Sequence, residues 1–377
     1  MNIGVRRGEV NYFFYGLVFY SITVLYLLPY EMKLPHAKFF LPILAVLLLI
    51  QLLQHRSKLQ IADIIAVCLI VVITVVNFSS YQLFRYSLPL SLIVIGFTGF
   101  PRIEIQRKYL IPLCWLSSIA MIYQLAVYRR IEFDGTPRIS LSNGDPNVSG
   151  LFMLLFFFLC IKAKFKPGII LALISSLLFL SRNYFFSLLI FVAILCFERA
   201  FAKIASRINF PILFIFSNLI GIVIGEFFLK FVEVGFDYDT GSNRLFAVND
   251  ASNLYRFEAN RFLIQSYLND WHLALTGYGG NYESIFRPIG AIIHNSFLEV
   301  IAYTGIALGV IYFYVIIRFI NGYYTPDNFR YIYPYLFFCL FLHSGFQGIP
   351  PFLFISILAM SVTDEQPNIL HPLRNYS

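Results

Sequence analysis

Residues 294–309 read His294-Asn295-Ser296-Phe297-Leu298-Glu299-Val300-Ile301-Ala302-Tyr303-Thr304-Gly305-Ile306-Ala307-Leu308-Gly309. A polar pair gives way at once to an apolar run, and Ser296 with Glu299 has the spacing of a capping box. The stretch therefore predicts a helix that begins at Ser296 and runs apolar to about Phe319, long enough to cross a bilayer. His294 and Asn295 are then expected at a water-facing mouth. Unpaired N–H groups and partial positive charge at a helix start favour a phosphate-bearing ligand there. Gly305 and Gly309 form G-x-x-x-G, read as a close helix-packing face. Just upstream lie an Arg-bearing segment from Tyr255 and the turn Gly277-Tyr278-Gly279-Gly280.

The apolar character extends over the whole chain. With 377 residues, 59% hydrophobic, 18% aromatic and 13% charged, a water-soluble globular protein is excluded. The expected fold is all-α: a single integral membrane domain, 1–377, built as a polytopic transmembrane helical bundle of about 12 spans. The spans read from the sequence are 11–30, 39–53, 60–78, 84–100, 109–127, 148–161, 167–180, 183–197, 209–229, 296–317, 331–347 and 350–362. Arg6 and Arg7 precede the first without a small-residue cleavage site, so it reads as a retained span. Cys68, Cys114, Cys160, Cys196 and Cys339 all fall inside spans as small hydrophobes, with no disulfide framework, metal spacing or cofactor motif.

The net charge of +8 is dispersed over short loops, which is the positive-inside pattern and not a nucleic-acid footprint. It predicts cytoplasmic termini and two extracytoplasmic segments, 128–147 and the long loop 230–294. These hold Arg129, Arg130, Arg138, Lys230, Arg244, Arg256, Arg261 and Arg287; guanidinium groups there suit bidentate binding of phosphate oxygens. In the first, Asp145 reads as an N-cap with Pro146 as first helical residue and Asn147 as a polar contact. Ser181-Arg182-Asn183 divides an apolar run either as a tight hairpin or as a kink with a buried Arg, and the hairpin avoids the cost of burying a charge in hydrocarbon. In the second, Phe257, Ile264, Leu268, Trp271 and Leu275 share one face of a helix over 255–275, expected to lie on the membrane surface with Arg256 and Arg261 flanking the stripe. Asp63, Arg85, His343 and Gln347 are polar residues without an assigned task. Asp237-Tyr238-Asp239 is too short and common a motif to carry a metal-dependent transferase.

On these residues the chain resembles the bacterial O-antigen polymerase and O-antigen ligase superfamily. The shared features are Asp145-Pro146-Asn147 opening a span, Ser181-Arg182 before another, and Arg256 or Arg261 leading to Gly277-Tyr278-Gly279. The last is His294-Asn295 followed by a Leu/Glu/Gly helix. The resemblance covers roughly the last two-thirds of the chain. It departs at Asp145, where Asn is usual, and in the loose spacing from either Arg to the glycine turn.

The resemblance implies a metal-independent glycosyltransferase at the outer face of the bacterial inner membrane, acting on an undecaprenyl-pyrophosphate-linked oligosaccharide. His294, Arg182, Arg261 and Arg256 are its expected catalytic residues, and Arg138, Asn147, Asn295 and Tyr278 its expected substrate contacts. No cofactor is expected. Membrane lipids, a chain-length regulator and a flippase are the partners it implies. The first reading is a polymerase of repeat units; the alternatives are a ligase that moves the finished glycan to a lipid or protein acceptor, and a transporter of lipid-linked sugars. A transporter would carry an internal repeat and charges near mid-bilayer, and no clear repeat is visible.

Overall fold

The computed structural model of the chain describes residues 68, 103–127, 131–133, 136–141, 145–233, 251–286, 292–342, 345–346 and 349–363. In chain order the helices are α1 (Arg107–Val127), α2 (Pro146–Ala163), α3 (Lys166–Phe179), α4 (Arg182–Cys196), α5 (Glu198–Ala205) and α6 (Phe210–Glu233). They continue with α7 (Ala251–Asn269), α8 (Trp271–Thr276), α9 (Tyr282–Phe286), α10 (Ser296–Gly322), α11 (Pro326–Leu340) and α12 (Ile349–Ala359). Two short strand pairs accompany them: β1 (Ile103–Gln106) runs parallel to β4 (Met360–Thr363), and β2 (Ile131–Phe133) antiparallel to β3 (Thr136–Arg138). The all-α expectation thus describes most of the fold but misses these strands. The termini, the spans 11–30, 39–53 and 84–100, and 60–78 apart from Cys68 lie outside the described residues, as do Arg129, Arg130, Asp237-Tyr238-Asp239, Arg244, Arg287, His343 and Gln347.

A helix that is apolar all round must be enclosed, and α2 is: every residue from Ser149 to Cys160 is buried. Gly150 of α2 packs on Tyr184 of α4 and, seven residues further along both helices, Phe157 meets Phe191 at 4.9 Å, so α2 and α4 run parallel. Helix α3 returns between them. It ends at Phe179, Leu180 takes a left-handed φ of 47°, and α4 begins at Arg182, which is the hairpin and not the kinked helix. Asn183 and Ser187 of α4 donate to Phe341 O (2.7 Å) and Pro334 O (3.1 Å), so α11 runs antiparallel to α4. The starts of α2 and α4 and the end of α11 therefore share one end of the bundle.

By length and apolar composition alone, four described helices qualify to cross a membrane: 107–126, 146–163, 210–227 and 296–322, the last of them broken at Gly305. Ile212, Phe216, Leu219, Val223 and Phe227 of α6 are exposed, a surface that lipid and not water would cover. These features fit a membrane protein. The spans read at 167–180, 183–197, 331–347 and 350–362 emerge as shorter helices of 14, 15, 15 and 11 residues. At 1.5 Å per residue these reach only about 16–22 Å against about 30 Å of hydrocarbon. After α4 the chain bends by 96° into α5.

The largest departure from expectation is α10, which is not one continuous rod. Gly305 has φ 71° and ψ 171°, and the rings of Phe297 and Phe313 lie 5.6 Å apart. In a straight helix sixteen residues would separate them by about 24 Å. The helix instead folds back, with 296–304 and 306–322 side by side and Phe214 and Phe346 packed against Phe297 and Phe313. Breaking a helix strands carbonyl groups, and here they find partners: Ala302 O accepts from Tyr278 N (2.7 Å) and Ile301 O from Tyr267 OH (2.8 Å). The close-packing reading of Gly305 and Gly309 survives with a different partner. Gly309 faces Ile301 and Thr304 of the same helix, and Gly305 abuts Leu275 and Thr276.

Candidate functional site

At the start of α2, Asp145 is the N-cap and Pro146 the first helical residue, as expected: the Asp145 carboxylate accepts from Asn147 N at 2.7 Å. The Asn147 side-chain oxygen accepts from Ser181 Oγ at 3.2 Å. This ties α2 to the turn that delivers Arg182, the half-buried first residue of α4. Arg138 ends β3, opposite Ile131, and the next residue, Ile139, donates its N–H to Leu178 O (3.4 Å) just before the same turn.

The capping box read from Ser296 and Glu299 does not form, because the cap is one residue earlier. Asn295 Oδ1 accepts from Phe297 N and Leu298 N, each at 3.0 Å, and its side chain, expected at a water-facing mouth, is only 1% exposed. Asparagine is as good a cap as serine, and the apolar setting leaves Ser296 free to serve elsewhere. Its hydroxyl donates to Leu342 O and accepts from Gly345 N (2.9 Å). Glu299 is buried, well inside the first turns. His294 is half-buried, with Nδ1 2.6 Å from Ile292 O. A carbonyl can only accept, so Nδ1 carries the hydrogen and Nε2 is the basic nitrogen of the neutral ring.

The end of α11 joins these pieces. Phe341 O holds Asn183, beside Arg182; Leu342 O holds Ser296; and Leu340 packs on Gly221 of α6, where an added Cβ would lie 3.1 Å from Leu340 Cδ2 and 3.5 Å from Asn295 Nδ2. One turn further along α6, an added Cβ on Gly225 would meet the Phe257 ring at 2.7 Å. The adjacent Glu226 receives Arg261: Nη2 donates at 2.9 Å and Nε at 3.2 Å to the same oxygen. Four residues of helix span about 6 Å, so α6 sets α7, with Arg256 and Arg261, one turn from the start of α10.

The single amphipathic helix expected over 255–275 is two helices. Asp270 interrupts it and caps α8, accepting from Leu273 N at 3.1 Å. The apolar stripe divides accordingly. Phe257 packs on α6 and Ile264 is half-buried, whereas Leu268 and Trp271 are 81% and 65% exposed and Leu275 is exposed beside them. A wheel drawn through all of 255–275 merges a face that packs on protein with one that faces outward. Arg256 is half-buried. Tyr278 stacks on Tyr267 with ring centroids 6.1 Å apart and meets Phe286 edge-on at 5.5 Å. Burial, and then the nearby Tyr278, push the Tyr267 phenol well above its usual range, so it remains the proton donor to Ile301 O.

Sequence reasoning missed Glu226, Gly221, Gly225 and Asn183. Gly221-x-x-x-Gly225 followed by an acid inside a strongly apolar run was the available signal for the first three. Among the described residues no cluster of three or more His, Cys, Asp or Glu side chains could hold a metal ion. Comparison of the chain with family models, with curated proteins and with solved structures finds no match.

Proposed function

We propose that the chain is a membrane glycosyltransferase that joins undecaprenyl-pyrophosphate-linked oligosaccharide units into a polysaccharide at the outer face of a bacterial inner membrane. One observation carries the reading. Arg182, His294 and the Arg-bearing helix α7, far apart in the chain, are tied to neighbouring positions by the end of α11 and by α6. Cationic side chains and helix N-termini gathered at one end of an apolar bundle suit a diphosphate whose polyprenyl tail lies in lipid. In the reaction the acceptor hydroxyl attacks the anomeric carbon, the bond to the diphosphate oxygen breaks, and polyprenyl diphosphate leaves. The hydroxyl proton goes to His294 Nε2. Guanidinium groups stabilise the negative charge that grows on the leaving group, a role that needs positioning and no metal.

The test replaces Arg182, Arg256, Arg261 and His294 by alanine one at a time and reads the chain-length distribution of surface polysaccharide at equal membrane levels of protein. Polymer output should fall for Arg182, His294 and at least one of Arg256 and Arg261, with single repeat units still reaching the surface. Full output from all the variants would end the proposal. Loss of single units as well would mark a ligase. A chain-length regulator and a flippase are the partners this activity calls for.

A further inference from the structure

Helix α4 runs parallel to α2, and at its end the chain turns by 96° into α5, which therefore lies across the bundle axis. This is the end at which α2 and α4 finish and α11 begins, opposite the turn that delivers Arg182. Phe186, Leu189, Val192 and Leu195 of α4 are exposed apolar residues, and the exposed apolar surface continues past the bend in Phe197 and Ile204, 63% and 51% exposed. At 3.6 residues per turn α5 has three sides, set roughly a third of a turn apart. Phe201, Ala202 and Ala205 form the covered side, and α5 packs against α11. Ala200 and Ile204 form an exposed apolar side. Arg199 and Lys203 form an exposed basic one, with the exposed Arg207 just beyond the helix and Glu198 as its single acid.

Other cations at this end are turned inward. Lys162 Nζ and Arg330 Cζ stand 5.3 and 5.2 Å from the centre of the Tyr331 ring, and Lys162 Nζ also donates to Met360 O at 2.7 Å. Arg199, Lys203 and Arg207 point their charge outward and have no ion-pair partner among the described residues. Water suits the basic side of α5 but not the apolar one, and hydrocarbon the reverse; the headgroup boundary of a bilayer suits both. We propose that α5 is an interfacial helix that binds anionic phospholipid, with Phe197 and Ile204 in the acyl boundary and Arg199, Lys203 and Arg207 on the headgroup phosphates. A zwitterionic headgroup carries a cation of its own, so lipid of net negative charge is favoured, by about fivefold for each cation at the surface. The contact fixes the end of the bundle opposite the proposed site to its leaflet, and it holds whether or not the chain is a transferase.

The experiment places the full chain in phosphatidylcholine nanodiscs, with the two exposed cysteines, Cys68 and Cys196, replaced by alanine and a nitrobenzofurazan label on A200C. Nitroxide-labelled phosphatidylglycerol or phosphatidylcholine is then added. Emission should lie at short wavelength and be quenched by both lipids, with phosphatidylglycerol effective at about fivefold lower content or less. R199Q/K203Q/R207Q should bring the two lipids to within about twofold of each other, whereas R199K/K203R/R207K should keep the preference with an unchanged melting temperature. Salt at about 0.5 M should shrink the preference in the chain that keeps its cations, a readout that serves even where the glutamine variant does not insert. Water-like emission without quenching would place α5 in solvent and overturn the proposal. So would short-wavelength emission that neither lipid quenches, which would mean that protein covers the helix. Equal quenching by the two lipids, or a preference indifferent to salt, would reduce the contact to apolar burial and overturn the recognition of anionic lipid.

Discussion

Replacing Gly305 by alanine adds one methyl group at the point where α10 reverses. The backbone there has φ 71° and ψ 171°, a region open essentially to glycine alone, so a side chain costs about 1–3 kcal/mol in conformation. The new Cβ would also run into Leu275 O and lie 2.6 Å from Thr276 C, backbone atoms that no rotamer change can move aside. Overpacking of this kind costs about 1–3 kcal/mol more, for a total of about 2–6 kcal/mol. That is a large share of the roughly 5–15 kcal/mol that holds a domain together. Gly279 is the control: its φ is +54°, but an added Cβ meets nothing within 4 Å, so alanine there should cost about 1–2 kcal/mol at most. The assay is thermal melting of the full chain in micelles, together with cross-linking of F297C/F313C by a short bifunctional maleimide after the native cysteines are replaced. The two rings are 5.6 Å apart in the folded-back helix, against about 24 Å between these positions along a straight one, so the reagent should bridge the pair, and G305A should reduce the yield. Failure of F297C/F313C to cross-link in an otherwise folded protein would mean that the helix runs straight, and the account of α10 would be wrong.

The Asn295 cap should respond to chemistry more than to size: N295A should lose about 0.5–2 kcal/mol of stability in the same melting assay while N295S retains most of it. Gly225→Leu should push Phe257 away and with it Arg256, lowering polymer output while membrane insertion, followed by protease protection, stays intact. Trp271 should emit at shorter wavelength in lipid vesicles than in water and be quenched by brominated lipids. Unquenched, water-like emission would mean that the exposed Leu268, Trp271 and Leu275 surface is not covered by lipid. Asn183→Leu should destabilise the α4–α11 contact at Phe341 O by about 1–3 kcal/mol, since it strands a carbonyl in an apolar setting.

The class of the molecule was legible from composition, because an apolar, aromatic chain with few charges has no solution in water. Local punctuation was legible too. Asp145 with Pro146 marks the start of α2, and the cost of burying Arg182 predicts the turn between α3 and α4; both depend on residues adjacent in sequence. Hydropathy counts apolar residues without knowing their direction, which is why it read α10 as one span. The reversal at Gly305 becomes favourable only because Tyr278 and Tyr267 supply donors to the carbonyls it exposes. The same limit hid the N-cap at Asn295, which is decided by Leu342 and Gly345 claiming the Ser296 hydroxyl, and the Glu226–Arg261 pair, whose members are 35 residues apart. Sequence alone thus determined that the chain belongs in lipid and where several helices begin. Which arginine of α7 is held by the Glu226 carboxylate, and which residue caps α10, was decided by tertiary structure, since hydrogen bonds and close packing depend on distances in space that periodicity along a chain does not encode.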